Sequence, residues 1–142
     1  MNEALERLVS AGDLAGAARL LGRPFEVEGV VVHGDHRGKL LGFPTANLDG
    51  PAGQLLPPKG VYAGAALDRR AAISIGVNPH YGGTERRIEA YLLDWTGDLY
   101  GDRLVVELWR RLREERAFAS ESELVDQIAR DVDETRSAVR PI

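Results

Sequence analysis

Arg86-Arg87-Ile88-Glu89-Ala90-Tyr91-Leu92-Leu93, then the turn-rich Asp94-Trp95-Thr96-Gly97-Asp98-Leu99-Tyr100-Gly101, then Leu104-Val105-Val106-Glu107-Leu108-Trp109, is the stretch that sets the fold class. Ile88, Ala90 and Leu92 fall on one side of an extended chain and Glu89, Tyr91 and Leu93 on the other, the period of a half-buried strand. The glycines and aspartates between the two runs predict a hairpin loop that makes them antiparallel neighbours. Working outward, further extended runs span Phe25 to His33, Gly60 to Leu67 and Ala71 to Val77, separated by Gly, Pro and Asp clusters. Five or six short strands at this spacing predict a small β-barrel.

Helical segments flank these runs. Asp13 is placed to cap a segment in which Leu14, Ala17, Ala18 and Leu21 recur at helical spacing, and Gly22 and Pro24 end it, so residues 1–22 read as a lead-in of short helices ahead of a domain over 23–142. At the other end Ser120 and Glu123 form a capping-box pair, and Leu124, Val125, Ile128 and Val132 make one apolar stripe that predicts packing on the barrel. The tail after Arg136 is expected to fray.

With 142 residues, a formal charge of -4 and a pI near 5.4, the chain fits one domain and carries no basic field for nucleic acid. The absence of cysteine excludes disulfides, thiolate metal sites and cysteine nucleophiles. No basic flank precedes an apolar run near Met1, and no apolar stretch reaches membrane-spanning length, which gives a cytoplasmic expectation and no membrane partner.

The densest chemical signal is Gly34-Asp35-His36-Arg37-Gly38-Lys39-Leu40-Leu41-Gly42-Phe43-Pro44-Thr45-Ala46-Asn47. Glycines and basic side chains after a strand suit a loop whose N–H groups approach phosphates, and an ordinary flexible loop has the same composition. The spacing is not that of a Walker A loop, since Leu40 follows Lys39 where a Ser or Thr metal ligand belongs. Pro44 favours extension, which puts the Thr45 and Asn47 oxygens on one side; two neutral oxygens suit a magnesium ion arriving with nucleotide phosphates, or simply an Asn turn closing a strand. Glu89 between apolar neighbours is placed for a raised pKa and general-base work, or for a solvated outer face. Arg113, Glu115 and Phe118 offer planar-ligand contacts, or a solvated linker with one core anchor. His33 and His36 lack a completing carboxylate pattern for a metal site, and Ser74 lies outside any nucleophile elbow.

These pieces together resemble the riboflavin kinase family, in particular the kinase module of bacterial bifunctional FAD-synthesising enzymes. The resemblance runs from about Leu21 to Thr135 and is strongest at Leu41-Gly42-Phe43-Pro44-Thr45-Ala46-Asn47-Leu48, with support from Gly60-Val61-Tyr62, Ser74-Ile75-Gly76-Val77-Asn78-Pro79, Glu89 before Ala90-Tyr91-Leu92-Leu93-Asp94, Asp98-Leu99-Tyr100-Gly101, and Leu112-Arg113 followed by Glu115 and Phe118. It implies a mainly β fold, a six-stranded antiparallel Greek-key barrel with a C-terminal helix packed on it. It also implies riboflavin and ATP as substrates and FMN and ADP as products. Thr45 and Asn47 would hold nucleotide-bound Mg²⁺, the loop carrying Gly34 and Lys39 would cover the nucleotide, Glu89 would be the catalytic base, and Arg113, Glu115 and Phe118 would meet the flavin. His80 and Trp95-Thr96 depart from the family pattern near the expected substrate edge. The lead-in through Leu21-Gly22-Arg23-Pro24 resembles the linker that follows an FMN adenylyltransferase domain in bifunctional relatives, a domain not contained in this sequence.

Overall fold

The computed structural model describes residues 2–33, 42–77 and 86–142. Two short helices, α1 (Glu3–Ser10) and α2 (Leu14–Leu21), precede six strands, β1 (Phe25–Val32), β2 (Ala46–Asp49), β3 (Gly60–Ala66), β4 (Arg69–Val77), β5 (Arg86–Leu92) and β6 (Arg103–Arg113), and helix α3 (Glu121–Ser137) follows. The strands close into a barrel in the order β1-β2-β5-β4-β3-β6, and every neighbouring pair is antiparallel. This is the Greek-key barrel with one C-terminal helix. Among the described residues, no helix is long and apolar enough to cross a membrane.

The alternation that marks β5 is what the fold uses: Ile88, Ala90 and Leu92 are buried in the barrel with Val27, Leu48, Ile73, Ile75, Val106 and Leu108. The predicted pairing of β5 with β6 is not found. β5 lies between β2 and β4, and β6 lies between β1 and β3. The turn residues between them are captured elsewhere. Asp94, at φ 56°, turns the chain aside. Its carbonyl accepts from Arg69 at 3.0 Å, its carboxylate accepts from Arg136 at 2.8 and 3.1 Å, and the preceding Leu93 N–H donates to the Arg70 carbonyl. Trp95 and Leu99 then pack over the core, and Gly101 and Asp102 bond Val31 of β1. Apolar side chains placed over an open barrel end bury more surface than a solvated hairpin loop would.

A tight hairpin does join β3 to β4. Leu67 and Asp68 both have positive φ, 51° and 60°, the requirement for a two-residue turn that matches strand twist. β6 is longer than its predicted Leu104 to Trp109, because the register against β3 shifts twice and β6 bends round to serve both β1 and β3. Gln54 mimics a strand residue beside β1: its amide oxygen accepts from Glu28 N–H at 2.7 Å and its amide nitrogen donates to the Glu28 carbonyl at 3.0 Å.

The lead-in helices are as read, with Asp13 capping α2 through the Gly16 N–H and Gly22 closing it at φ 75°. Val9, Leu14 and Ala17 pack into the same core as the strands. Helix α3 lies across β3 and β4. Ser120 caps it through the Glu123 N–H at 3.2 Å, while the Glu123 carboxylate accepts from the Ala119 N–H, one residue ahead of the cap. The tail does not fray. Ala138 is 5% exposed against Ala63 and Trp109, and Arg140 pairs with Glu107 at 3.0 Å. Arg70 donates to the Thr135 and Ala138 carbonyls, so one of the last helix carbonyls and the cap residue after it are bonded from the barrel.

Candidate active site

Two clefts meet at the segment that leads into β2. The larger, about 470 Å³, is lined by Val32, His33, Thr45, Asn47, Trp95 and Tyr100 among others. The smaller, about 270 Å³, lies between the outer face of the barrel and the chain from Arg113 into α3, and Thr45, Ser74, Glu89, Arg113, Glu115 and Phe118 line it. Among the described residues, Thr45 is the one common to both linings. Both volumes are of the order of small-ligand clefts, about 300 Å³ upward.

Local geometry explains why these side chains gather. In β2, Leu48 is buried, so Asn47 faces outward. The β2–β5 register sets Asn47 opposite Glu89, and the β4–β5 register sets Ser74 opposite Glu89 on its other side. Paired residues on antiparallel strands share a face, so Asn47, Glu89 and Ser74 form one row across the outside of three strands. Phe43 fixes the approach to Thr45 by packing edge-on against Tyr91, with ring centroids 5.6 Å apart at 87°. In the larger cleft His33 and Tyr100 stack at 4.0 Å and 19°, a flat aromatic wall.

The surroundings of Glu89 differ from those its sequence neighbours suggest. Its apolar neighbours turn inward, and its Oε1 lies 3.1 Å from Arg87 Nε, two residues away on the same face. The fold therefore supplies a partly buried carboxylate beside a guanidinium in place of an apolar pocket.

Arg113 is held by a bidentate pair with Asp131 of α3, at 2.9 to 3.1 Å, and Asp131 is 4% exposed. Its guanidinium also lies over Phe118, 5.8 Å from the ring centre, while that of Arg116 lies 4.7 Å from it. Arg113 thus anchors α3, and with Glu115 and Phe118 it lines the smaller cleft. Glu115 reaches over Gly76, where an added Cβ would collide with the Glu115 carboxylate.

The Arg136 guanidinium bonded to Asp94 holds that carboxyl below the usual carboxylate range. Burial pushes Glu107 up, but hydrogen bonds from Arg140 and Trp109 outweigh it and hold the group below its ordinary 4.5. Burial pushes the Tyr62 hydroxyl up, against the nearby Arg111 and Arg86.

The structure brings Thr45, Asn47, Glu89, Arg113, Glu115 and Phe118 to adjoining clefts. Gly34, Lys39, His36 and His80 lie outside the described residues. Sequence reasoning passed over Arg87, Tyr91, the His33–Tyr100 wall, and Leu124 and Ile128, which the α3 stripe presents to the smaller cleft. Strand alternation about Glu89 already places Arg87 and Tyr91 on its face; the other three depend on tertiary contacts. Among the described residues, no group of three or more His, Cys, Asp or Glu forms a metal cluster.

Comparison with known proteins agrees with this geometry. The riboflavin kinase family model matches residues 21–139. The bifunctional riboflavin kinase/FMN adenylyltransferase of Escherichia coli K12 is 42% identical over 133 residues, covering 90% of this chain and 42% of the relative. That of Bacillus subtilis is 38% identical, covering 87% of this chain and 41% of the relative. The chain thus spans about two fifths of the length of the curated relatives it matches. Among solved structures, a Streptococcus pneumoniae protein described as a macrolide-efflux protein aligns over 98% of this chain and 47% of its own, with TM-score 0.89 and 34% identity. The riboflavin kinase of Trypanosoma brucei aligns over 80% and 78%, with TM-score 0.63 and 29% identity. A barrel with this strand order, the Pro44-Thr45-Ala46-Asn47 entry to β2, and a family match over most of its length show that the chain belongs to the riboflavin kinase family.

Proposed function

We propose that this chain transfers the γ-phosphoryl group of ATP to the 5′-hydroxyl of riboflavin, giving FMN and ADP. The observation that carries this reading is the position of Thr45 on the wall of both clefts. A nucleotide in the larger cleft, against the His33–Tyr100 wall, and a flavin in the smaller, against Phe118, would bring donor phosphate and acceptor hydroxyl together where Thr45, Asn47 and Glu89 converge. Phosphoryl transfer asks mainly for such positioning and for charge stabilisation.

In this reading Glu89 accepts the proton of the 5′-hydroxyl as its oxygen bonds to the γ-phosphorus and the bond to the departing ADP oxygen breaks. Arg113, anchored by Asp131, Glu115 and Phe118 hold the isoalloxazine ring and its side chain. Gly34 and Lys39 are assigned to the nucleotide's phosphates on the family resemblance. The donor set fits Mg²⁺: two neutral oxygens, Thr45 Oγ1 and Asn47 Oδ1, on one cleft wall suit a hard cation that arrives with phosphates and keeps most of its waters. Bound there, the ion would neutralise phosphate charge. A cytoplasmic location is part of this proposal, in keeping with a reaction that consumes ATP. The adenylyltransferase activity in the relatives' names belongs to longer proteins and is not proposed for this chain.

The test is FMN formation from riboflavin, ATP and Mg²⁺, followed by chromatography, with the unaltered chain and Glu89→Gln in parallel. The expected outcome is turnover that falls about a hundredfold or more in the variant while flavin binding persists. A folded, unaltered chain that binds flavin and makes no FMN overturns the proposal in favour of a flavin-binding barrel without turnover.

A further inference from the structure

Arg87 lines the smaller cleft, and its Nε lies 3.1 Å from Glu89, at 37% and 22% side-chain exposure respectively. The other arginines of this cleft are differently engaged: Arg113 is bound bidentately by Asp131, and Arg116 lies over Phe118. A guanidinium carries five N–H donors in a fork that suits phosphate, and the pair with Glu89 is made through Nε.

The charge of the cleft changes during the proposed reaction. The acceptor arrives neutral and leaves as a phosphate monoester carrying about 1.5 to 2 negative charges at neutral pH. That charge would form beside Glu89, with Glu115 on the same outer face of the barrel, where Gly76, the register partner of Arg87, leaves room for its carboxylate. The proposed proton transfer leaves Glu89 neutral and loosens its hold on Arg87, so the Glu115 carboxylate is the like charge that opposes the new phosphate and a cation beside Glu89 offsets it. The guanidinium already in contact with Glu89 is that cation, and a phosphate dianion competes for it more strongly than one carboxylate does.

We infer that Arg87 is the residue that binds the newly formed phosphate, exchanging its ion pair with Glu89 for the 5′-phosphate of the product. This rests on the riboflavin kinase reading of the same clefts and assigns a product-phosphate subsite within it. Arg87 then discriminates between the two flavins, holding the phosphorylated one and contributing little to the neutral one.

The experiment titrates riboflavin and FMN separately into the full chain by flavin fluorescence, for the unaltered protein, Arg87→Ala and Arg87→Lys. Expected is a loss of about tenfold or more in FMN affinity for Arg87→Ala, riboflavin affinity within about twofold, and partial recovery in Arg87→Lys, whose point charge lacks the fork. Retained riboflavin affinity shows that the cleft is folded in the variant. Equal weakening of both flavins, or unchanged FMN affinity in Arg87→Ala, overturns the inference even where the unaltered chain makes FMN. Failure of the unaltered chain to make FMN overturns instead the reading on which it rests.

Discussion

Gly76 shows how much of the smaller cleft depends on one missing methyl group. Its backbone is extended and suits any residue, so conformational freedom is not what the position requires. The requirement is room for the Glu115 carboxylate, a flexible group that a Cβ would push aside. Gly76→Ala is therefore expected to change unfolding free energy by less than about 1 kcal/mol, yet to raise the KM for riboflavin severalfold at nearly constant kcat. Steady-state kinetics beside urea unfolding check both halves; a large stability loss with unchanged KM would contradict it. Glu89 is the opposite case. The sequence alone picks out its position and face, because alternation along β5 is local. Its guanidinium partner is equally legible two residues away, but the sequence does not say that the pair stands in a cleft closed by α3.

At the scale of elements, β6 and the tail show why periodicity stops short. Alternation holds from Leu104 to Leu108 and breaks at Trp109, which is buried as well. A reading by period ends the strand there, whereas the structure carries it through two register shifts to Arg113. The chain after α3 is a terminus expected to fray, yet Arg140 reaches Glu107 on β6, and Trp109 Nε1 donates to the same carboxylate at 2.8 Å. Because the folded-state pKa of Glu107 lies below its ordinary 4.5, its ionised form stabilises the fold above that pH, and this contribution disappears as pH falls through the lower folded value. Arg140→Ala is accordingly expected to lower Tm at neutral pH, and to differ less and less from the unaltered chain as pH falls below 4.5 and through the lowered folded value. Thermal unfolding of both chains across that range provides the check; a difference that does not vary with pH would mean the tail is held by packing alone.

For the whole molecule, the lead-in helices and the barrel form one core. Val9 is fully buried and Leu14 is 2% exposed, both in contact with the cluster that includes Ile73 and Val106. Leu14→Ala should cost about 2 to 5 kcal/mol. The loss should appear as one cooperative transition, the same by tryptophan fluorescence, which reports Trp95 and Trp109 on the barrel, as by far-UV circular dichroism, which also reports the helices. Two separated transitions would show that α1 and α2 fold independently of the strands.

The sequence by itself determined what is local: where chain segments are extended or helical, which side of each strand is apolar, that Asp13, Gly22 and Ser120 begin or end helices, and that the run from Leu41 to Leu48 carries a family motif. These follow from side-chain period, backbone preference and short-range hydrogen bonding. Tertiary structure alone decided which strands are neighbours. The Asp94-to-Gly101 segment has the composition of a hairpin, but the anchors that redirect it, Arg69, Arg70, Arg136 and Val31, come from three distant parts of the chain. Alternation fixes a face and leaves the partner open, because the free energy that selects a partner comes from closing the barrel and burying its end. The row of Asn47, Glu89 and Ser74, and the two clefts that meet at Thr45, exist because of that choice.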